Sequence, residues 1–311
     1  MYLQFFGLTE APFTIVPNPR FVFFSKRHKV AFSHLVYSIR NGDGIVVLTG
    51  EVGTGKTTLA RYLIEQQDEG SEILPTNVEV AIISNTGFSV SELMEEILKD
   101  LRIPLPPLEA GRERGFKAMV DALNVYLLEA HGKGRNTVVI IDEAQNLSTE
   151  VLEKIRLLTN LETFTYKLLQ IILIGQPELK QVLARNELRQ LDQRVTARYH
   201  ILPMDVEETR EYIHYRLRLA GRATPIFTPW AVRLVHLLSG GVPREINKLC
   251  DRSLLGAWAL KQERVGPWIV QQAAREMQDR SPWRVLLTPQ ARRPLGASLA
   301  VAALAVWLVG L

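Results

Sequence analysis

Apolar positions change their spacing several times along this chain. Lys26 to Ile39 places Val30, Phe32, Leu35, Val36 and Ile39 at helical spacing, and Asn41-Gly42-Asp43-Gly44 supplies a stop. From Ile45 onward, short apolar runs alternate with amphipathic segments. The runs are Ile45–Leu48, Val78–Ile83, Val138–Ile141, Leu169–Ile174 and Tyr199–Leu202. Runs apolar on both faces predict buried parallel strands, and the intervening segments predict right-handed βαβ crossovers. Ser148-Thr149-Glu150 before Val151 and Leu152 predicts a helix start. After Pro203 only helical patterns follow: Val206–Ala220, Pro229–Leu238, Pro243–Leu260 and Pro267–Met277, with Thr228-Pro229 as an N-cap and N1 pair.

The two ends differ from this body. Residues 1–24 are rich in Phe and Pro and predict an irregular packed segment. Residues 279–294 carry Pro282, Pro289 and Pro294 with Arg280, Arg284, Arg292 and Arg293, as a linker does. Leu295–Leu311 then contains no charge. Seventeen residues at about 1.5 Å each reach roughly 25 Å, slightly short of a hydrocarbon core of about 30 Å, as for a span cut at its far end. The pattern predicts a transmembrane helix, with a docked hydrophobic helix as the alternative; the basic flank would keep the N-terminal bulk in the cytoplasm. The expected organisation is a segment over 1–44 packing on the core, a core over 45–203, a helical lid over 204–278, the linker over 279–294 and the span over 295–311.

Composition narrows the class. The chain has 311 residues, 47% of them hydrophobic, and 37 basic against 33 acidic side chains leave a net charge of +4. This balance excludes bulk disorder and gives no basic module for nucleic acid. The single cysteine, Cys250, excludes a disulfide framework and reads as a helix core residue. His28 carries no identifiable chemistry, and Phe21, Phe23 and Phe24 read as packing, with contact to an adenine as the alternative.

The chemistry lies in two motifs. Gly50-Glu51-Val52-Gly53-Thr54-Gly55-Lys56-Thr57, followed by Thr58, matches G-x-x-x-x-G-K-[ST] between a strand and a helix. Glycines let backbone N–H groups close around phosphate oxygens, and the helix N-terminus adds partial positive charge. Lys56 would reach the β- and γ-phosphates of ATP, and Thr57 would give its hydroxyl oxygen to Mg²⁺. The second motif, Val138-Val139-Ile140-Ile141-Asp142-Glu143, ends a strand on two acids. Asp142 would hold Mg²⁺, mostly through water, and Glu143 would orient or deprotonate the attacking water.

Other polar residues have two readings each. Gln176 is a contact to the γ-phosphate or water, or a turn residue before Pro177. Arg189, Arg194 and Arg198 are surface arginines, or one of them stabilises charge at a neighbouring subunit's site. Arg244 follows Gly-Gly-Val-Pro at a helix start, where a cation needs a negative partner: a bound phosphate or a nearby carboxylate.

Together these residues resemble the AAA+ ATPases, and more closely the general secretion pathway protein A (ExeA/GspA) family. The resemblance covers nearly all of residues 1–280. It rests on FFGLTEAPF, LTGEVGTGKTT, VVIIDEAQNL, RLLTNLE, LLQIILIGQPEL, LRQLDQRVTARYHILPM and GGVPREINKLCDRSLL. It implies an α/β P-loop NTPase fold of the AAA+ (ASCE) type with a parallel sheet, a C-terminal helical lid and one transmembrane helix. It implies Lys56, Thr57, Asp142 and Glu143 as the ATPase site, Gln176 as the sensor on the fourth strand, and Arg244 as the lid's sensor arginine. Arg194 or Arg198 would be the finger, which implies a ring or other oligomer. In that family the ATPase is joined by a span in the bacterial inner membrane to a periplasmic peptidoglycan-binding region and works with a membrane partner of the GspB/ExeB type. This sequence ends at the span, so peptidoglycan binding is not assigned to it. The alternative is a DNA-associated AAA+ ATPase of the transposition-regulator type, which needs no span.

Overall fold

The computed structural model of the chain describes residues 1–15, 21–68, 77–84, 87–107 and 115–277. Five strands form one sheet: β1 (Ile45–Gly50), β2 (Val78–Ile83), β3 (Asn136–Ile141), β4 (Leu169–Gly175) and β5 (Val195–Ile201). Their order is β2-β3-β4-β1-β5, and every pairing is parallel. The central strands β1 and β4 are buried at every position, which is why they read as unbroken apolar runs.

The fifth strand begins earlier than the apolar run Tyr199–Leu202 suggests. It lies at the sheet edge and alternates half-buried with exposed residues, so its first half carries no continuous apolar signal.

Both sheet faces are covered. Val47, Val139, Ile141, Ile171 and Leu173 pack under α4 (Val90–Asp100), α5 (Phe116–Gly132) and α6 (Thr149–Leu158). Val46, Leu48, Val138, Ile140, Ile172 and Ile174 pack under α2 (Lys26–Asn41) and α3 (Lys56–Asp68). Local chemistry sets the ends. Ser148 caps α6, and Gly42 closes α2 in the left-handed conformation at φ 74°.

A separate core joins α9 (Val206–Leu219), α10 (Pro229–Ser239), α11 (Pro243–Ala259) and α12 (Pro267–Met277). Thr228 caps α10 ahead of Pro229, and Asp205 with Glu208 forms a capping box on α9.

Residues 1–44 do not act as one segment. Helix α2 lies on the sheet, whereas Phe6 of α1 (Tyr2–Phe6), Leu8 and Phe13 are buried in the helical core with Tyr212, Phe227 and Leu254. Arg216 explains the second direction. It is buried and donates to the carbonyls of Pro12 (2.5 Å), Thr14 (3.1 Å) and Phe21 (3.3 Å). Its guanidinium stacks 4.6 Å from the Phe21 ring. Three carbonyls of an otherwise irregular segment thereby find a partner inside the helical core.

Among the described residues no helix is long and apolar enough to cross a membrane. The predicted linker 279–294 and span 295–311 lie outside the described residues.

Candidate nucleotide site

The Gly50–Thr57 loop leaves the C-terminal end of β1, with β4 and β5 on either side. Its turn requires glycine at two places. Gly53 and Gly55 sit at φ 82° and 95°. A Cβ on Gly53 would lie 2.6 Å from the Cβ of Arg244, and one on Gly55 would lie 3.0 Å from Nε2 of His28. The loop is therefore enclosed by two elements distant in sequence, α2 and the start of α11.

Lys56 is 5% exposed and donates from Nζ to the carbonyls of Gly50 (2.8 Å) and Glu51 (2.9 Å). Burial lowers its pKa, opposed by the charges of Glu143, Asp142, Glu51 and Glu178. Thr54 is buried and bonds through Oγ1 to the Glu51 carbonyl at 2.8 Å. Glu51 and Val52 are exposed on the loop's crest. Thr57 and Thr58, in the first turn of α3, are half-buried.

The acids come from the end of β3. Thr57 donates its hydroxyl to Asp142 Oδ2 at 2.5 Å, although β4 separates the two strands in the sheet. Glu143 follows in the left-handed region at φ 52°, and its N–H donates to Asp142 Oδ1 at 2.9 Å. Such a conformation in a non-glycine residue is uncommon. Two amides meet the Glu143 carboxylate: Gln145 Nε2 donates to Oε2 at 2.7 Å, and Gln176 Nε2 donates to the same oxygen at 3.2 Å. Gln145 Oε1 accepts from the Gln176 backbone N–H at 2.9 Å. A Cβ on Gly175 would fall 2.8 Å from that same Oε1, so a side chain there would push the Gln145 amide aside.

The predicted arginines divide. Arg244 lies at the loop: its backbone N–H donates to the Gly53 carbonyl at 3.4 Å. The adjacent Glu245 pairs with Lys248, and among the described residues no carboxylate pairs with Arg244. The structure does not bring Arg194 or Arg198 into the site of their own chain. Val195 pairs with Ile45 at the start of β1, so Arg194 sits at the end of the strands away from the loop, where it bonds Thr159 Oγ1 at 2.6 Å. Arg198 is level with Val47 and pairs with Asp192 at 2.7 Å. Arg189 opens α8 (Arg189–Asp192), which lies between α7 (Glu178–Leu183) and β5.

Two participants escape sequence reading. Gln145 is legible only as part of a DEAQ string, with no spacing rule to mark it. His28, read as chemically silent, reaches the loop itself: Nε2 lies 2.7 Å from the Thr54 carbonyl. Nothing local signals this, because the contact spans 26 positions and depends on α2 packing against β5 and α3.

The residues fit a magnesium nucleotide. The glycine-shaped loop has no room for side chains on two sides, and Thr57 and Asp142 set two hard oxygen donors side by side. Glu143 lies next to them.

A family model described as an AAA domain matches residues 39–183. Among solved structures, the Aeropyrum pernix ORC2 protein superposes with a TM-score of 0.61 at 16% identity, covering 86% of this chain and 71% of that one. The Drosophila origin recognition complex, solved bound to DNA, gives 0.65 at 20% identity, covering 89% and 66%. At these identities the likeness is one of fold. A five-stranded parallel sheet with a P-loop at the end of its interior strand β1, and a helical core packed against that loop, defines a nucleotide-binding AAA+ protein. Over 287 residues the chain is 45% identical to general secretion pathway protein A of Aeromonas hydrophila, covering 91% of this chain. The likeness to that protein runs over nearly the whole of this chain and includes the AAA domain at residues 39–183. The chain spans half the length of this curated relative.

Proposed function

We propose that the chain hydrolyses ATP to ADP and phosphate and uses the cycle to drive assembly or placement of a secretion or envelope complex at the bacterial inner membrane. The observation that supports the hydrolytic reading is the Glu143 carboxylate, one residue beyond the Asp142 that pairs with Thr57 and held by the amides of Gln145 and Gln176. Lys56 and the N–H groups of Gly50–Thr58 bind the phosphates, with Lys56 leaving its loop carbonyls to do so. Thr57 and Asp142 hold Mg²⁺, which when bound neutralises charge on the phosphate oxygens. Glu143 orients the water and accepts its proton, and Gln176 steadies that water beside it. Arg244 meets the terminal phosphate from the lid. Arg194 or Arg198 would serve a neighbouring copy, which makes the working form an oligomer.

The secretion reading is supported by the 45% identity to general secretion pathway protein A and by the uncharged sequence 295–311. A partner of the GspB/ExeB type and a single membrane span belong to this reading. The test is phosphate release by the full chain and by Glu143→Gln. Turnover lost with nucleotide binding kept supports hydrolysis; equal release from both defeats it. Alkaline washing of membranes, comparing the full chain with one ending at Arg280, tests the anchor. Release of both chains would overturn it.

A further inference from the structure

The first turn of α2 grips the nucleotide loop from outside. A phosphate-binding loop turns its N–H groups inward, so its carbonyls point away from the anion and need partners of their own. Thr54 is 1% exposed, and water does not supply that partner. The ring of His28, itself buried, stands 2.7 Å from the Thr54 carbonyl through Nε2. A carbonyl only accepts, so Nε2 carries the hydrogen. Nδ1 is then the acceptor, and the Ser25 hydroxyl donates to it at 2.8 Å. Ser25 is also the N-cap of α2, accepting from the His28 N–H at 3.4 Å. One serine thus ends the helix, orients the ring and selects its tautomer.

The turn is anchored on its other side. Arg27 donates to the carbonyl of Pro203, where β5 leads into α9, and its Nε lies 3.7 Å from Glu208. Glu208 is 2% exposed and belongs to the capping box of α9. His28 therefore cannot drift with the loop; it holds the loop against a turn tied to the lid.

We propose that His28 is a positioning residue for nucleotide binding, its Nε2–H fixing the Thr54 carbonyl so that Gly53–Thr57 keeps the anion-binding conformation. The assignment rests on the reading of that loop as an ATP site. Burial holds the imidazole neutral, which keeps Nδ1 free to accept from Ser25. The effect falls equally on ground state and transition state, so it is read in KM and Kd while kcat stays within about twofold.

The experiment measures Mg²⁺-ATP binding with a fluorescent ATP analogue, and KM and kcat for phosphate release, on the full chain in detergent. His28→Phe keeps a ring and removes the donor. His28→Gln keeps a side-chain N–H of similar reach. We expect His28→Phe to raise Kd and KM about tenfold, the size of one lost buried hydrogen bond. His28→Gln is expected to recover most of that, and Ser25→Ala to raise both about threefold. Binding by His28→Phe equal to the unaltered chain overturns the assignment. So does equal loss in His28→Phe and His28→Gln, which would mark a packing role. If His28→Phe does not fold, His28→Gln and Ser25→Ala decide, and unaltered KM in Ser25→Ala overturns the assignment. No binding by the unaltered chain would overturn the nucleotide reading itself, and this assignment with it.

Discussion

Thr57 and Asp142, 85 positions apart, share a 2.5 Å hydrogen bond across an intervening strand. Neither residue can hold a cation well alone; together they present a hydroxyl and a carboxylate at one point. Asp142→Asn keeps the size and the bond to Thr57 but removes the charge. We expect it to fold normally and to abolish the magnesium dependence of nucleotide binding, measured by titrating Mg²⁺ at fixed ATP. Binding that still strengthens with magnesium would show that the cation is held elsewhere.

Gln145 and Gln176 both donate to one oxygen of Glu143, but at different lengths, 2.7 and 3.2 Å. Gln145 also fixes the Gln176 backbone. Gln145→Ala is expected to lower kcat more than Gln176→Ala does, by roughly tenfold against threefold, with little change in KM. The double variant should fall short of the product of the two, because the residues act on one carboxylate. Full multiplicativity in steady-state rates would show that they act independently.

Arg216 satisfies three carbonyls of the N-terminal segment, and among the described residues no carboxylate pairs with it. Burial lowers its pKa, partly offset by Tyr212 and Tyr215. Arg216→Met should destabilise the folded chain by about 3 kcal/mol or more, since buried carbonyls lose their donors. Chemical denaturation measures this. Limited proteolysis should also cut within residues 1–24 of the variant first, because that segment loses its tie to α9.

Four histidines, His28, His200, His214 and His236, have pKa values lowered from 6.5, in each case chiefly by burial. Unfolded, each titrates near 6.5; folded, each stays neutral to lower pH. Between the two values the unfolded chain binds more protons, so stability falls as pH drops below about 6.5 and is complete above it. Thermal melts from about pH 7.5 down to about pH 5.5 should show a falling Tm, with a smaller drop in His28→Gln. A flat profile would show that the imidazoles titrate alike in both states.

Much of the fold is legible because its signals are local. Ile45–Leu48 followed by the glycine-rich loop, and the run ending at Asp142, are contiguous strings whose hydropathy and backbone demands need no tertiary knowledge. The start of β5 is less so: an edge strand buries one face only, and its Thr196, Arg198 and His200 interrupt the apolar run. The destination of residues 1–15 is likewise hidden, since Phe6 and Phe13 would suit the sheet or the helical core equally by composition.

The buried strands, the helices of the C-terminal part, the glycine turns of the loop and the acids that end β3 are written in local sequence, because each depends on neighbours along the chain. Packing in three dimensions brings His28 to Thr54 and Gln145 and Gln176 to Glu143, and it holds Arg194 and Arg198 away from their own site. Those contacts arise from how helices pack on a sheet whose strand order is not the order of the sequence, and no periodicity records that order.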